Sequence, residues 1–185
     1  MISTAVRAAL AVAALAMAGC CSIPKYEPTY WNGDSTVRCS NNCYNYGNNK
    51  RTDNFAQPGY ASGQTAAQMA CKDVWDAAVR DGIDPLPASG KCPASSCSTQ
   101  DKLALVVAPG HDYHWYRQGQ DGMWTHKPGH TPATNHDNAG QPITDPATAA
   151  RGQYTDFCGY MCSCSDAQQG KGHENIKGGS PPCSW

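Results

Sequence analysis

A cysteine at the start of a helix and a histidine on a later strand are the parts of a nucleophilic site, and this 185-residue sequence carries both. Cys43 follows Ser40, Asn41 and Asn42, all side chains that cap helix N-termini, so a short helix is predicted to open near it and to end by Gly47-Asn48-Asn49. The unpaired N–H groups and partial positive charge of such an end stabilise a thiolate, which makes Cys43 the candidate nucleophile. His114, within Asp112-Tyr113-His114-Trp115-Tyr116-Arg117, is the candidate general base and acid for attack on a carbonyl. A third group must hold the imidazole in one tautomer. Around Gly119-Gln120-Asp121-Gly122, a turn centred on Gln120 pairs residues whose numbers sum to 240, so His114 opposes His126. Opposed residues share a sheet face with Cβ atoms about 4.5–5.5 Å apart, and His126 is the first candidate for orienting the imidazole. A one-residue slip would pass that role to Asn135 or Asp137 in the following loop. Asn41 or Asn42, with Asn42 directly before the thiol, could join the Cys43 backbone N–H in an oxyanion hole.

The same residues have plainer readings. Cys43 could be half of a disulfide, and His114 and His126 could be ordinary members of an aromatic hairpin. Cys158, Cys162 and Cys164 raise a metal site as an alternative, but they lack the two-residue spacing of a zinc knuckle, so no metal or cofactor is assigned. His111 and His114 fall on opposite faces of a strand, which argues against a shared ligand.

The elements that must position these groups follow from pattern. Residues 65–80 carry Met69, Val74, Ala77 and Ala78 at helical spacing, with Gly82 beyond the end, and are predicted helical. A loop through Pro85, Pro87, Gly90 and Pro93 is expected to be stapled by Cys92 and Cys97. Residues 102–108 contain the apolar run Leu103 to Val107, a buried strand ended by Pro109-Gly110. Residues 112–117 and 123–127 form the hairpin, residues 128–146 an ordered loop, and residues 154–161 a last strand. Helices followed by strands give an α+β class with a small antiparallel sheet.

The first residues read as an export signal. Arg7 precedes the apolar run Ala8 to Ala18, which is too short to span a bilayer. Ala16-Met17-Ala18 suits ordinary signal peptidase, whereas Met17-Ala18-Gly19-Cys20 resembles a bacterial lipobox and makes Cys20 the expected lipidation site, the chain's one attachment to a membrane. The divisions expected are a signal peptide at 1–19, a tether at 20–37 with Pro24 and Pro28, a domain at 38–165, and a polar tail at 166–185 that Cys183 is placed to tie down. Without Arg7 the mature chain has 13 basic and 15 acidic side chains and no basic cluster, so nucleic acid is set aside as a partner; no oligomeric interface is read from the sequence. Eleven cysteines in an exported chain should be paired. With Cys20 lipidated, Cys21 in the tether and Cys43 free, eight remain for four bridges, in any of 105 connectivities.

Three stretches carry a resemblance. Asn42-Cys43-Tyr44-Asn45-Tyr46 with Arg51 to Gly59, Asp112 to Gln118, and Gly122 to Gly129 with Thr131 to Asn135 are similar to the motifs of a family of largely uncharacterised secreted proteins. Its Asn-Cys pair opening a helix and later strand histidine resemble papain-like cysteine hydrolases, the cell-wall endopeptidase branch above all. That resemblance implies a papain-like fold and an exported, lipid-anchored periplasmic or cell-surface cysteine hydrolase or acyl transferase. It would act on an amide bond, with cell-wall peptide as substrate. The sequence departs from that pattern in having no glutamine a few residues before the cysteine, and in its many cysteines. The alternative is a non-catalytic disulfide-stabilised module that binds through an exposed aromatic hairpin of Tyr113, Trp115, Tyr116 and Trp124.

Overall fold

In a computed structural model, which describes residues 23–92, 101–164, 175–180 and 183, the chain runs α1 (Pro28–Asn32), α2 (Ser35–Ser40), α3 (Cys43–Gly47), α4 (Cys71–Arg80), β1 (Asp84–Pro85), β2 (Asp101–Ala108), β3 (Asp112–Gln118), β4 (Trp124–His126) and β5 (Asp156–Ser163). The export signal, Cys20, Cys21 and Cys97 lie outside the described residues. This is an α+β molecule with one small antiparallel sheet, ordered β1-β5-β2-β3-β4. No helix among the described residues is long and apolar enough to cross a membrane.

The unbroken apolar run explains why β2 is central, since both of its faces must be covered. Leu103, Leu105 and Val107 point to one side, where Tyr44 of α3, Val74 and Ala78 of α4, and Trp115 complete the larger core. Ala104 and Val106 point to the other, against Tyr116, Trp124 and Ile143. Helices thus cover one face and the long loop after β4 covers the other. The four aromatics expected on an exposed hairpin surface are instead interior: Tyr113, Trp115, Tyr116 and Trp124 are between 0% and 7% exposed. A hairpin in the middle of a two-sided core has no outer face on which to display rings.

A bulge directs one of the bridges. Leu105 pairs with Gly159 and Val106 with Phe157, so Cys158 is an extra residue on β5. Gly159 sits at φ +128 with the Trp75 ring against it, where a Cβ would meet that ring at 3.3 Å. The bulged Cys158 reaches Cys71 at the start of α4. Cys92 bonds Cys162 rather than Cys97, and Cys39 bonds Cys183. Cys164 is also oxidised. With Cys158, Cys162 and Cys164 all in disulfides, the thiolates that the alternative metal site needs are spent. Loops of 70 to 144 residues closed by such bonds each lower the unfolded chain's entropy by about 4–5 kcal/mol in the chain-entropy model.

The stretches expected as tether and tail contain packed structure. Pro28 opens α1, and Trp31 is buried with Tyr46 and Ala133. Asn32 clasps the Ala133 backbone, accepting from its N–H at 2.7 Å and donating to its carbonyl at 3.1 Å. Residues 175–180 form a strap: Asn175 N–H donates to Asp81 O, Gln57 N–H to Lys177 O and Ser180 N–H to Asn54 O. Ile176 is buried in the larger core. The helix expected over 65–80 begins only at Cys71: Ala70 is extended at φ −129 and ψ 152, and the Met69 carbonyl accepts from Gly110 N–H rather than from a helical turn.

Candidate functional site

Asn42 caps α3 as the spacing suggested. Its Oδ1 accepts the Tyr44 and Asn45 N–H groups at 3.0 and 3.1 Å, while Asn45 Oδ1 accepts the Asn42 N–H at 3.1 Å. The other end of the Asn42 amide donates to Ala56 O at 2.7 Å, so the whole side chain is engaged in holding the helix start. Cys43, first residue of that helix, is 5% exposed and is a free thiol, the one free cysteine among the described residues. Contrary to the helix-end expectation, its pKa is pushed up to about 12. Burial is the main cause, and the Trp115 and Tyr44 backbone N–H groups pulling the other way do not offset it. A five-residue helix has a weak end charge, and the loss of water outweighs it.

The hairpin brings the two histidines together by a register other than the expected one. Tyr116, not His114, opposes His126, and Gln118 opposes Trp124. Asp121 Oδ1 accepts the Met123 N–H, and Gly119 N–H donates to Met123 O, so the turn centres on Asp121. Moving the centre by one residue moves every pairing by two, which leaves each side chain on its original face. His114 and His126 are therefore diagonal neighbours, with His114 Nε2 2.7 Å from His126 Nδ1.

The tautomers follow from the chain of partners. His126 Nε2 lies 2.9 Å from His136 O, and a carbonyl only accepts, so that nitrogen carries the proton. Neutral His126 then accepts at Nδ1, His114 Nε2 donates, and His114 Nδ1 is left as a bare acceptor. Burial lowers the pKa of both histidines, well below the ordinary value for His114, which keeps the pair uncharged at neutral pH. The residue that fixes the far imidazole is the His136 backbone, which no motif flagged; the Asn135 carbonyl accepts from Ile143 N–H, and the Asp137 carboxylate accepts from Ala139, Gln141 and Ala150 N–H groups.

Two buried cations tie this corner together without a carboxylate. Lys127 is fully buried, and its ammonium donates to Arg38 O and Asn41 O, at the end of α2, and to Gly129 O. Loss of water lowers its pKa to about 8. Arg117 donates to Tyr46 O at 2.9 Å and Asn49 Oδ1 at 2.8 Å, at the end of α3. Both place positive charge at helix C-termini, where it is favoured.

Two cavities adjoin here. One, of about 180 Å³, is lined by Asn42, Cys43, Gln57, Asp112, His114 and Tyr154 among others. The second, of about 310 Å³, lies across His114 and Tyr154 and reaches Tyr116, His126, Asn138 and Gln153. Tyr154 stacks on His114 at 5.3 Å and donates its hydroxyl to Asp112 Oδ2 at 2.8 Å. Cys43 and His114 share the smaller cavity, but no hydrogen bond joins them among the described residues, and the thiol is held protonated.

A curated relative is similar to this chain: the insoluble matrix shell protein 1 of Ruditapes philippinarum is 45% identical over 137 residues, 74% of this chain and 88% of the relative. No family model matches the sequence, and no solved structure matches it. The relative is by name a matrix protein of a shell. It overturns the expected lipid-anchored cysteine hydrolase or acyl transferase of cell-wall peptide. It also overturns the expected periplasmic or cell-surface lipoprotein anchored at Cys20. The raised thiol pKa supplies the physical reason at the site, since a protonated thiol at neutral pH is a poor nucleophile.

Proposed function

The chain belongs to the family of the insoluble matrix shell protein, and from that premise we propose that it is a non-catalytic, disulfide-clamped binding module secreted into an extracellular matrix. The observation that carries this reading is the setting of Cys43: although unbridged, as a nucleophile must be, it is buried, no hydrogen bond joins it to His114 among the described residues, and its pKa is pushed up to about 12. A helix bearing that cysteine packed on a small antiparallel sheet with His114 and His126 supports a papain-like scaffold, here retained for shape. In this reading Asn42, His114 and His126 are buried polar pins. They fix the α3 start and the hairpin face, and binding falls to the cavities rather than to exposed hairpin rings.

Thiol labelling tests the reading on the oxidised, folded protein. At pH 7.4 a thiol titrating near 12 holds over a thousand-fold less thiolate than one titrating at about 8.5. Iodoacetamide is therefore expected to modify Cys43 at least about a thousand-fold more slowly than a free cysteine, with the rate climbing tenfold per pH unit through pH 9. A rate plateau below pH 8.5, abolished by His114→Ala, would mean an activated nucleophile and would end the non-catalytic reading.

A further inference from the structure

The larger cavity has a wall whose chemistry selects a ligand. It contains no carboxylate among its lining residues, which argues against a cation. Arg151 is the one formal charge there, its guanidinium is turned to Pro146 O, Ala147 O and Thr155 O, and the Asp137 carboxylate, near enough to act on Tyr116 and His126, offsets it. The two histidines that line it are uncharged. A neutral ligand is therefore favoured.

The polar atoms on offer suit a polyhydroxylated one. Tyr116 is 2% exposed and lines the cavity, yet its hydroxyl has no hydrogen-bond partner among the described residues. His114 is 3% exposed, and its Nδ1 is likewise an acceptor without a partner among the described residues. Neither atom is among the fully buried polar atoms left without a partner, so both open onto the cavity and can bond a ligand there. Asn138 and Gln153 add an amide each at the exposed rim, with both donor and acceptor capacity. The rings line the wall as two stacks, Tyr116 with His126 at 4.8 Å and 14° and Tyr154 with His114 at 5.3 Å and 29°, whose edges and outer faces are what is left to a ligand. A pyranose combines hydroxyls around its edge with an apolar C–H face, and a volume of about 310 Å³ accommodates one such ring.

A peptide is less well matched. An extended peptide would add to the free edge of the sheet, but β4 is already paired on that side. His126 and Thr134 exchange both backbone hydrogen bonds, and Trp124 N–H donates to Ile143 O. No main-chain groups of β4 at this cavity are left to recruit a strand.

We propose that the cavity bounded by Tyr116, His126, Asn138, Gln153 and Tyr154 binds a neutral pyranose ring of an extracellular polysaccharide. The smaller cavity across Tyr154 is placed to receive the adjoining ring. The proposal rests on the reading of the chain as a non-catalytic matrix module, and its test separates the two. The folded, oxidised protein is titrated by calorimetry and by ligand-observed NMR with β-1,4-linked tetramers of glucose and of N-acetylglucosamine, a sulfated disaccharide polymer, and an uncharged octapeptide. Binding of a neutral tetramer is expected, weakened at least tenfold by the paired rim substitutions Asn138→Ala and Gln153→Ala at unchanged melting temperature, and several-fold by Tyr116→Phe. Preference for the sulfated polymer or the octapeptide, or no binding of a neutral sugar at 10 mM, overturns the sugar assignment and leaves the non-catalytic reading standing. Undiminished sugar binding in the rim variant overturns the location. Cleavage of a bound tetramer, seen by mass spectrometry, would overturn the non-catalytic reading instead.

Discussion

Asp81 is a buried carboxylate whose removal is expected to strengthen the fold. It is 2% exposed, and its Oδ2 accepts the Tyr44 hydroxyl at 2.8 Å and the Gly59 N–H at 2.7 Å, while Oδ1 is buried with no hydrogen-bond partner. It also occupies the C-cap of α4, where the last carbonyls already concentrate negative charge. Desolvation raises its pKa above the ordinary 3.8, outweighing both hydrogen bonds. Because the folded value is raised, the carboxyl's contribution to stability is complete below pH 3.8 and is lost as pH rises through the folded value. Asp81→Asn keeps an oxygen to accept from Tyr44 and Gly59, and removes the charge. Relief of the helix-end repulsion is worth about 0.3–1 kcal/mol, while the amide nitrogen that replaces Oδ1 meets no partner either and adds no gain. The variant is therefore expected to gain about 0.3–1 kcal/mol at pH 7, which raises the melting temperature by roughly 1–4 °C for a domain of this size. Circular dichroism melts of the oxidised protein at pH 7 and pH 3.5 test this, with the gain vanishing at the lower pH. A variant less stable at pH 7, or a difference that does not depend on pH, would refute the reasoning, since the two hydrogen bonds to the ionised group would then outweigh its desolvation.

The histidine pair gives the opposite pH slope. With folded pKa values lowered by burial, its contribution is fully present above pH 6.5 and is lost as pH falls through the folded values, so guanidinium titrations should show stability declining from pH 6.5 downward, and less so in His114→Gln. Nitrogen NMR at pH 7 should find both rings neutral and protonated at Nε2; a charged ring there would break the tautomer assignment. Replacing Cys71 and Cys158 together by serine removes a bridge across 87 residues and is expected to cost about 2–5 kcal/mol. A loss below about 1 kcal/mol would mean that the bulge and Trp75 contact hold α4 without it.

Where the sequence was legible, the signal was local. The α3 cap needs only Asn42 and Asn45, three residues apart, and β2 needs only its own apolar run. A turn centred on Gln120 gives the correct faces and the wrong pairs, because Asp121 Oδ1 accepts the Met123 N–H and shifts the turn centre. The even shift kept His114 and His126 together. What stayed hidden depends on partners far away in the chain. Trp31 is interior only because Tyr46 and Ala133 meet it, and α1 is too short for a helical period to show. The Cys92–Cys162 bond spans 70 residues, and the bulge that aims Cys158 at Cys71 leaves no mark in residue spacing. Lys127 resembles a surface lysine until three carbonyls close on it. A helix start predicts a field but not the burial that opposes it, which is why the Cys43 thiol pKa moves up and not down.

The Cys39–Cys183 bond has a mechanical side. Its two ends enclose the sheet, α3, α4 and both cavities within a covalent ring of sequence separation 144. Tension entering the chain upstream of Cys39 and leaving downstream of Cys183 crosses that ring through a single sulfur–sulfur link. The folded interior is bypassed, much as a shunt carries current around a resistor. Pulled along this axis, the domain would behave as an inextensible bead, keeping the shape of its cavities under strain while α1, outside the ring, takes up the extension.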